Sequence, residues 1–241
     1  MNMRYFLQWV GFLFISLLVQ GAYASAISVY PLEVDLNPQA RYYDIQVHNV
    51  GNDTAYVKIA VERINHPGQP DQSLTQLQDN PYQIGLIVTP SKVVIPVGQT
   101  RIVRVLYVGQ PPVSDVVYHV KISPVTGQLV ALYSGAKQLD AGVQLIIAYG
   151  VSVYARPLHL NPHITAVRYG TALTLSNTGN TSVLITLCKQ CASDGTHCEP
   201  LPSLLKRLFP GSVAQIILQK EGPLECQEEV LHGQFLPFDI K

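Results

Sequence analysis

Along most of the chain, apolar and polar residues alternate with a period of two in short segments separated by Gly, Pro, Asn and Asp. This alternation is typical of half-buried β-strands, and almost no segment has the period of an amphipathic helix. Seven strands at this spacing indicate an immunoglobulin-like β-sandwich. The predicted strands before residue 157 are 27–36, 42–50, 54–64, 91–97, 100–108, 115–123 and 143–155.

A second, shorter series of strands follows Arg156-Pro157. Proline cannot continue a central strand, so we interpret this dipeptide as the end of the first unit. The sequence therefore predicts an all-β chain with two β-sandwich domains, residues 25–156 and 157–241. The predicted strands of the second domain are 171–177, 181–188, 212–219 and the C-terminal segment HGQFLPFDIK.

The last strand predicted for the first domain lies in the segment VQLIIAYGVSVYARP, residues 143–157, and has two unlike faces. One face is wholly apolar, while the other is half apolar and carries Gly150 and Ser152, so the pattern predicts that something covers both sides. The connection before it, 124–142, is far longer than a hairpin requires, and loops of this length are usually functional or disordered. Residues 65–85 are predicted to form a solvated loop with an embedded short strand. The apolar face consists of Val143, Leu145, Ile147, Tyr149, Val151 and Val153.

The first two dozen residues have the organisation of a secretory signal peptide. Arg4 precedes the apolar run WVGFLFISLLV, and Ala22-Tyr23-Ala24 provides a small-x-small cleavage site. The apolar run is about half the length that crosses a bilayer. We therefore predict cleavage after residue 24 and export of the mature chain without a membrane anchor.

Charge and motif content favour a protein that is not an enzyme. Lys and Arg number 16 against 16 Asp and Glu, and loss of Arg4 with the signal leaves 15 against 16, with no basic stripe for nucleic acid. The sequence lacks a nucleophile elbow, a zinc-protease motif and a phosphate-binding loop, so no cofactor or metal is expected. The closest histidines, His159 and His163, flank a proline turn and are interpreted as surface residues. A Ser-His-Asp set assembled from distant positions stays open as an alternative.

Four cysteines lie in the second predicted domain. Zinc ligation is one reading of their spacing, but export favours two disulfides. We predict pairs between Cys191 and Cys198, closing a short loop, and between Cys188 and Cys226, tying the last strands together. Four cysteines allow three connectivities, so the other two pairings remain open.

Asp115 and Arg156 form a further candidate site. Pairing the last two strands of the first domain as a hairpin brings both residues to the end nearest the domain junction. A salt bridge there is expected to set the angle between the domains, although an exposed pair contributes only about 0 to 1 kcal/mol.

The order of these segments resembles the periplasmic pilus chaperones of the PapD-like superfamily. The resemblance extends over the whole mature chain, and LTLSNTGNTSVLI with the cysteine loop and LFPGS is similar to the alternate branch that serves common-pilus and colonisation-factor fimbriae. The segments that carry it in the first domain are SVYPLEVDL, HNVGNDTAYVKIAVERI, LIVTPSKVVIPVGQTRIVRVLYVG, VYHVKISP and VQLIIAYGVSVYARP.

The resemblance implies two immunoglobulin-like domains in a boomerang arrangement and a periplasmic chaperone without cofactors. Such chaperones bind pilus subunits that lack a final strand, lend them an edge strand, and deliver them to an outer-membrane usher; chaperone–pilin pairing is a known case of β-strand addition. It places Val143, Leu145 and Ile147 at the donor positions and an interdomain salt bridge at Asp115 and Arg156.

One departure from the better-known branch concerns the two basic residues that hold the C-terminal carboxylate of the bound pilin. In this chain the corresponding positions are Glu33 and Ser152, so that anchor is not carried over. A secreted adhesin or structural pilus component built from similar sandwiches is the alternative. It would normally carry an N-terminal donor extension or lack a final strand.

Overall fold

The structure, a computed structural model, describes residues 27–76, 85–125, 146–201, 204–231 and 233–240. Within these ranges every regular element is a β-strand, and no helix could span a membrane. The first ten strands are β1 (Ile27–Tyr30), β2 (Glu33–Leu36), β3 (Tyr42–Asn49), β4 (Ala55–Asn65), β5 (Ser73–Gln76), β6 (Leu86–Thr89), β7 (Lys92–Ile95), β8 (Thr100–Tyr107), β9 (Val116–Pro124) and β10 (Tyr149–Ala155).

These ten strands form two sheets that pack face to face. One sheet has the order β1-β3-β8-β6, and the other has the order β2-β10-β9-β4-β5 with β7 also paired to β4. The side chains that alternate inward from both sheets form one apolar core, as expected for a sandwich. Its fully buried members include Ile45, Val47, Val103, Val120, Ile122, Val151 and Val153.

The N-terminal segment predicted as one strand over 27–36 is two strands, and this prediction was wrong. β1 pairs with β3 in one sheet, whereas β2 pairs in parallel with β10 in the other. Pro31, between them, has no N–H to donate to a ladder, so the change of sheet occurs where pairing is already interrupted. One consequence is that β2 covers part of the edge of β10.

The remaining strands form a second sandwich with its own core, so the predicted two-sandwich, all-β fold is confirmed. One sheet has the order β11-β12-β16, and the other has the order β14-β13-β17-β18 with β15 also paired to β13. These strands are β11 (Ile164–Tyr169), β12 (Ala172–Asn177), β13 (Val183–Gln190), β14 (Glu199–Pro200), β15 (Lys206–Leu208), β16 (Val213–Ile217), β17 (Leu224–Glu229) and β18 (Phe235–Ile240).

Several short strands were not predicted, and they share a cause. The embedded strand expected in 65–85 is present as β5, but β6, β11, β15 and β17 were missed. β17, LECQEE, is an interior strand of its sheet although half of its residues are glutamate. Because its apolar positions are few, alternation gave no signal and cross-strand neighbours decide the conformation.

Candidate functional site

β10 is covered on one edge over its whole length and on the other edge over only part of it. β9 pairs with it from Tyr149 to Ala155, but the register with β2 begins at Ser152. No other strand in the described part of the chain pairs with Tyr149–Val151 on that side. The N–H groups of Ser152 and Arg156 point toward β2, so by alternation the main-chain groups of Gly150 point to the same, uncovered side.

The two faces of β10 have different environments. Val151 and Val153 are fully buried in the first core and Tyr149 packs against it, so this part of the apolar face belongs to the sandwich. Ile147, on the same alternation, is 49% exposed because it precedes the part of the strand that the sandwich covers. Of the three predicted donor residues only Ile147 is placed, since Val143 and Leu145 lie outside the described residues.

A histidine covers the second face of β10 at Gly150. The registers place His119 of β9 diagonally beside this glycine, and a Cβ on Gly150 would overlap the His119 imidazole. His119 Nδ1 lies 3.8 Å from Oε2 of the buried Glu62, whose Oε1 accepts a 2.9 Å hydrogen bond from Lys121 Nζ. Only glycine allows the ring to lie against the strand, which explains the narrow residue in this segment.

The second sandwich covers the same face of β10 at Tyr154. This ring is buried, with the Arg156 guanidinium 4.8 Å from its centroid and that of Arg207, from β15, at 4.9 Å. Phe209 follows, with a centroid separation of 6.4 Å. Burial raises the pKa of Tyr154 above its usual value, so the hydroxyl stays neutral.

Arg156 lies at the centre of a buried polar cluster that joins the two units. Its side chain is 1% exposed, and it donates to Asp35 Oδ1 at 2.7 Å and to Asp115 Oδ2 at 2.5 Å. The two aspartates belong to the first sandwich. The acceptors from the second sandwich are Thr181 Oγ1 at 3.1 Å, Ser182 Oγ at 2.8 Å and the Val230 carbonyl at 3.1 Å.

The geometry brings together Asp115 and Arg156, the pair expected at the junction, but it is deeply buried rather than exposed. Asp115 Oδ2 also accepts the Ser182 N–H at 2.6 Å. Burial raises the pKa of Asp115, although the Arg156 guanidinium and the Ser182 hydrogen bonds oppose this. A guanidinium with this many partners fixes both ends of the junction at once, which a lone surface pair does not.

The positions of Glu33 and Ser152 are occupied differently from the family pattern. They face each other in the pairing of β2 with β10, and Glu33 Oε2 accepts a 2.8 Å hydrogen bond from Arg207 Nη2. Asp35 and Arg207 were not singled out from the sequence. Asp35 was hidden by reading 27–36 as one strand, and Arg207 lies in a strand too short to give a periodic signal.

The four cysteines are paired as two disulfides, Cys188–Cys226 and Cys191–Cys198. The first joins β13 to β17 within the second core. The ladder between these strands shifts register between Thr186 and Lys189, and the exposed Leu187 takes φ +50° there. This β-bulge turns Cys188 inward toward its partner. The sulfurs are bonded to each other, so no free thiolate is left for zinc.

Comparison with known proteins gives consistent relatives. No protein-family model matches the chain. One CS1 fimbrial protein of Escherichia coli, named as a component of those fimbriae, is 25% identical over 205 residues, 83% of this chain and 84% of that protein. A CFA/I fimbrial protein of the same species, named in the same way, is 26% identical over 153 residues, 62% of each chain.

Solved structures share the fold over nearly the whole of their length. The class 5 fimbriae chaperone CfaA superposes with a TM-score of 0.62 at 19% identity, over 89% of this chain and 98% of that one. The Escherichia coli chaperone DraB gives 0.62 at 15% identity, over 92% and 98%. A chain from the Salmonella enterica complex of SafA pilin with the SafB chaperone gives 0.60 at 16% identity, over 90% and 99%.

Proposed function

We propose that this chain, which has the two-domain β-sandwich fold of the fimbrial chaperones, binds fimbrial subunits by lending them the free end of β10. The observation that carries the proposal is the uncovered edge at Tyr149–Val151, which continues toward the half-exposed Ile146 and Ile147. The relatives and the solved structures named above support the same class of partner.

The physical basis is β-strand addition. An uncovered edge offers main-chain donors and acceptors that pair with any extended partner, so affinity does not depend on the partner's exact sequence. The apolar side chains at Val143, Leu145 and Ile147 then fill the groove of the subunit. Their burial contributes about 5 to 9 kcal/mol before the cost of ordering the strand is subtracted.

The junction around Arg156 provides the fixed support for this edge. Arg156 directly follows β10, and its hydrogen bonds reach both sandwiches. We assign Asp115 and Arg156 the role of an interdomain ion pair that holds the second sandwich at a defined angle to the donor strand. The incoming pilin then meets a preformed cleft, which lowers the entropy lost on binding.

The proposed setting is the periplasm. Residues 1–24 are assigned to a cleaved signal peptide, the complex with the pilin is delivered to an outer-membrane usher, and no catalytic step or cofactor is involved. The alternative is a structural pilus component. It is disfavoured because the first sandwich includes its own final strand, β10, which lies between β9 and β2 rather than being missing.

The experiment is copurification from the periplasm. The protein is tagged at its C-terminus, expressed together with the genes that neighbour its own, and the partner is identified by mass spectrometry. We expect one stoichiometric β-rich fimbrial subunit, and Leu145→Asp is expected to abolish its capture because a charge enters the groove. Gln144→Asp, on the opposite face of the same segment, is the matched control and is expected to retain the partner.

Two results would overturn the proposal. Recovery of the tagged wild-type protein alone, or within surface fibres, would favour the structural component. Unfolding of the first sandwich by Leu145→Asp, followed by circular dichroism, would place this residue in the core rather than at the donor position.

A further inference from the structure

The outer face of the larger sheet carries two lysines directly opposite each other. In the pairing of β4 with β7, Lys58 lies opposite Lys92, and the next pair on the same face is Tyr56 with Val94. Both lysines are exposed, and Tyr56 and Val94 are 58% and 50% exposed. Like charges directly opposite on neighbouring strands destabilise a sheet, so this arrangement opposes folding of the free protein.

The neighbouring carboxylates on this face do not compensate the two lysines. Glu62 is bonded to Lys121 at 2.9 Å, and Glu33 is bonded to Arg207. Within the described ranges, neither Lys58 nor Lys92 forms an ion pair with a carboxylate. The corner of the sheet therefore combines uncompensated positive charge with exposed apolar surface.

This corner lies close to the free end of β10. Lys58 is opposite Ser123 on β9, and β9 lies between β4 and β10. The separation from β10 is two strand spacings, about 10 Å. The Val125 N–H donates to the Tyr56 carbonyl at 2.7 Å, and the residues beside this point on β10 are those that precede Tyr149.

We propose that the basic patch formed by Tyr56, Lys58, Lys92 and Val94 contacts an acidic region of the same fimbrial subunit that pairs with the free end of β10. This inference rests on the proposed function and adds a second contact surface to it. A domain held at the edge of β10 extends over the adjoining sheet face, and acidic side chains there relieve the repulsion between the lysines. Tyr56 and Val94 supply apolar contact beside the charges.

Charge complementarity of this kind acts mainly on the rate of encounter. Solvent-exposed charges at the rim of an interface accelerate association and make it sensitive to salt, while dissociation changes little. The patch is therefore expected to speed the capture of a pilin before its groove is filled. This predicts a kinetic signature distinct from that of the donor residues.

The test uses the pilin identified by copurification, diluted from denaturant into the full chaperone, with association followed by stopped-flow fluorescence. Lys58→Glu is expected to slow association about tenfold at low ionic strength, and the difference from wild type is expected to vanish at high ionic strength. The same variant is expected to raise the melting temperature of the free protein, because it replaces a repulsive cross-strand pair with an attractive one. Slower capture by a more stable protein excludes a folding defect as the cause.

Arg101→Glu is the matched control. Arg101 is an exposed cation on β8, in the other sheet of the same sandwich, and its guanidinium donates to the Thr100 carbonyl. An equal slowing by Arg101→Glu would reduce the effect to net charge and overturn the inference. Unchanged association of Lys58→Glu would overturn it as well.

A photo-crosslinker introduced at Tyr56 identifies the occupant. Crosslinks to an acidic segment of the pilin support the inference, whereas crosslinks to a second copy of this chain or to its own residues 126–145 overturn it. A wild-type protein that captures no pilin would overturn the proposed function and this inference together. A wild-type protein whose capture ignores Lys58→Glu would leave the proposed function intact and remove the patch alone.

Discussion

The two ends of β10 lie in the same strand, yet their environments differ. From Ser152 onward, β2 covers the outer edge, the second sandwich covers Tyr154, and Arg156 is tied to both units. Before Ser152, the outer edge is uncovered and Ile147 is half exposed. The closed end holds the open end in place, and a strand fixed at one end loses less entropy when the other end pairs with a partner.

The strongest way to break this comparison is to remove the closed end. Arg156→Ala leaves the carboxylates of Asp35 and Asp115 at the junction without their cation. Removal of one partner from a buried ion pair costs about 3 to 5 kcal/mol, so we expect a loss of this size in the free energy of unfolding. Urea unfolding followed by tryptophan and tyrosine fluorescence measures it, and a loss below about 1 kcal/mol would contradict the buried cluster.

A pair of matched substitutions sharpens the comparison within the apolar face. Val151→Asp places a charge in the fully buried core and is expected to cost about 3 kcal/mol or more. Ile147→Asp, on the same alternation but half exposed, is expected to change the free energy of unfolding by less than about 0.5 kcal/mol. Equal losses of stability in the two variants would mean that Ile147 belongs to the core.

The disulfide between β13 and β17 provides a comparison with the second sandwich. Cys188→Ala with Cys226→Ala removes a cross-link over 38 residues and is expected to cost about 2 to 4 kcal/mol. Because the bond lies in the second core, we expect amide exchange to accelerate in β13 and β17 and to stay unchanged in β3, β8 and β9. Uniform acceleration in both sandwiches would instead indicate that they unfold as one unit.

The fold and the candidate site differed in how far the sequence predicted them. Alternation gave the two-sandwich architecture because most strands are half buried and carry their pattern locally. The pairing of β2 with β10 is a contact between residues about 120 positions apart, so nothing local distinguishes Asp35 from any exposed aspartate. Arg207 is hidden for the same reason, since its partners Glu33 and Tyr154 belong to the other sandwich.

The smallest of the destabilising effects is expected at Gly150, where the open and closed ends of β10 meet. Gly150→Ala adds a methyl group where the His119 imidazole lies, and such overpacking costs about 1 to 3 kcal/mol. His119→Ala removes the ring and makes room, so the double variant is expected to be less destabilised than the sum of the two single variants. A double-mutant cycle by urea unfolding measures this coupling. Strict additivity would mean that the glycine is required by the backbone alone and that His119 does not position the strand at the start of its free edge.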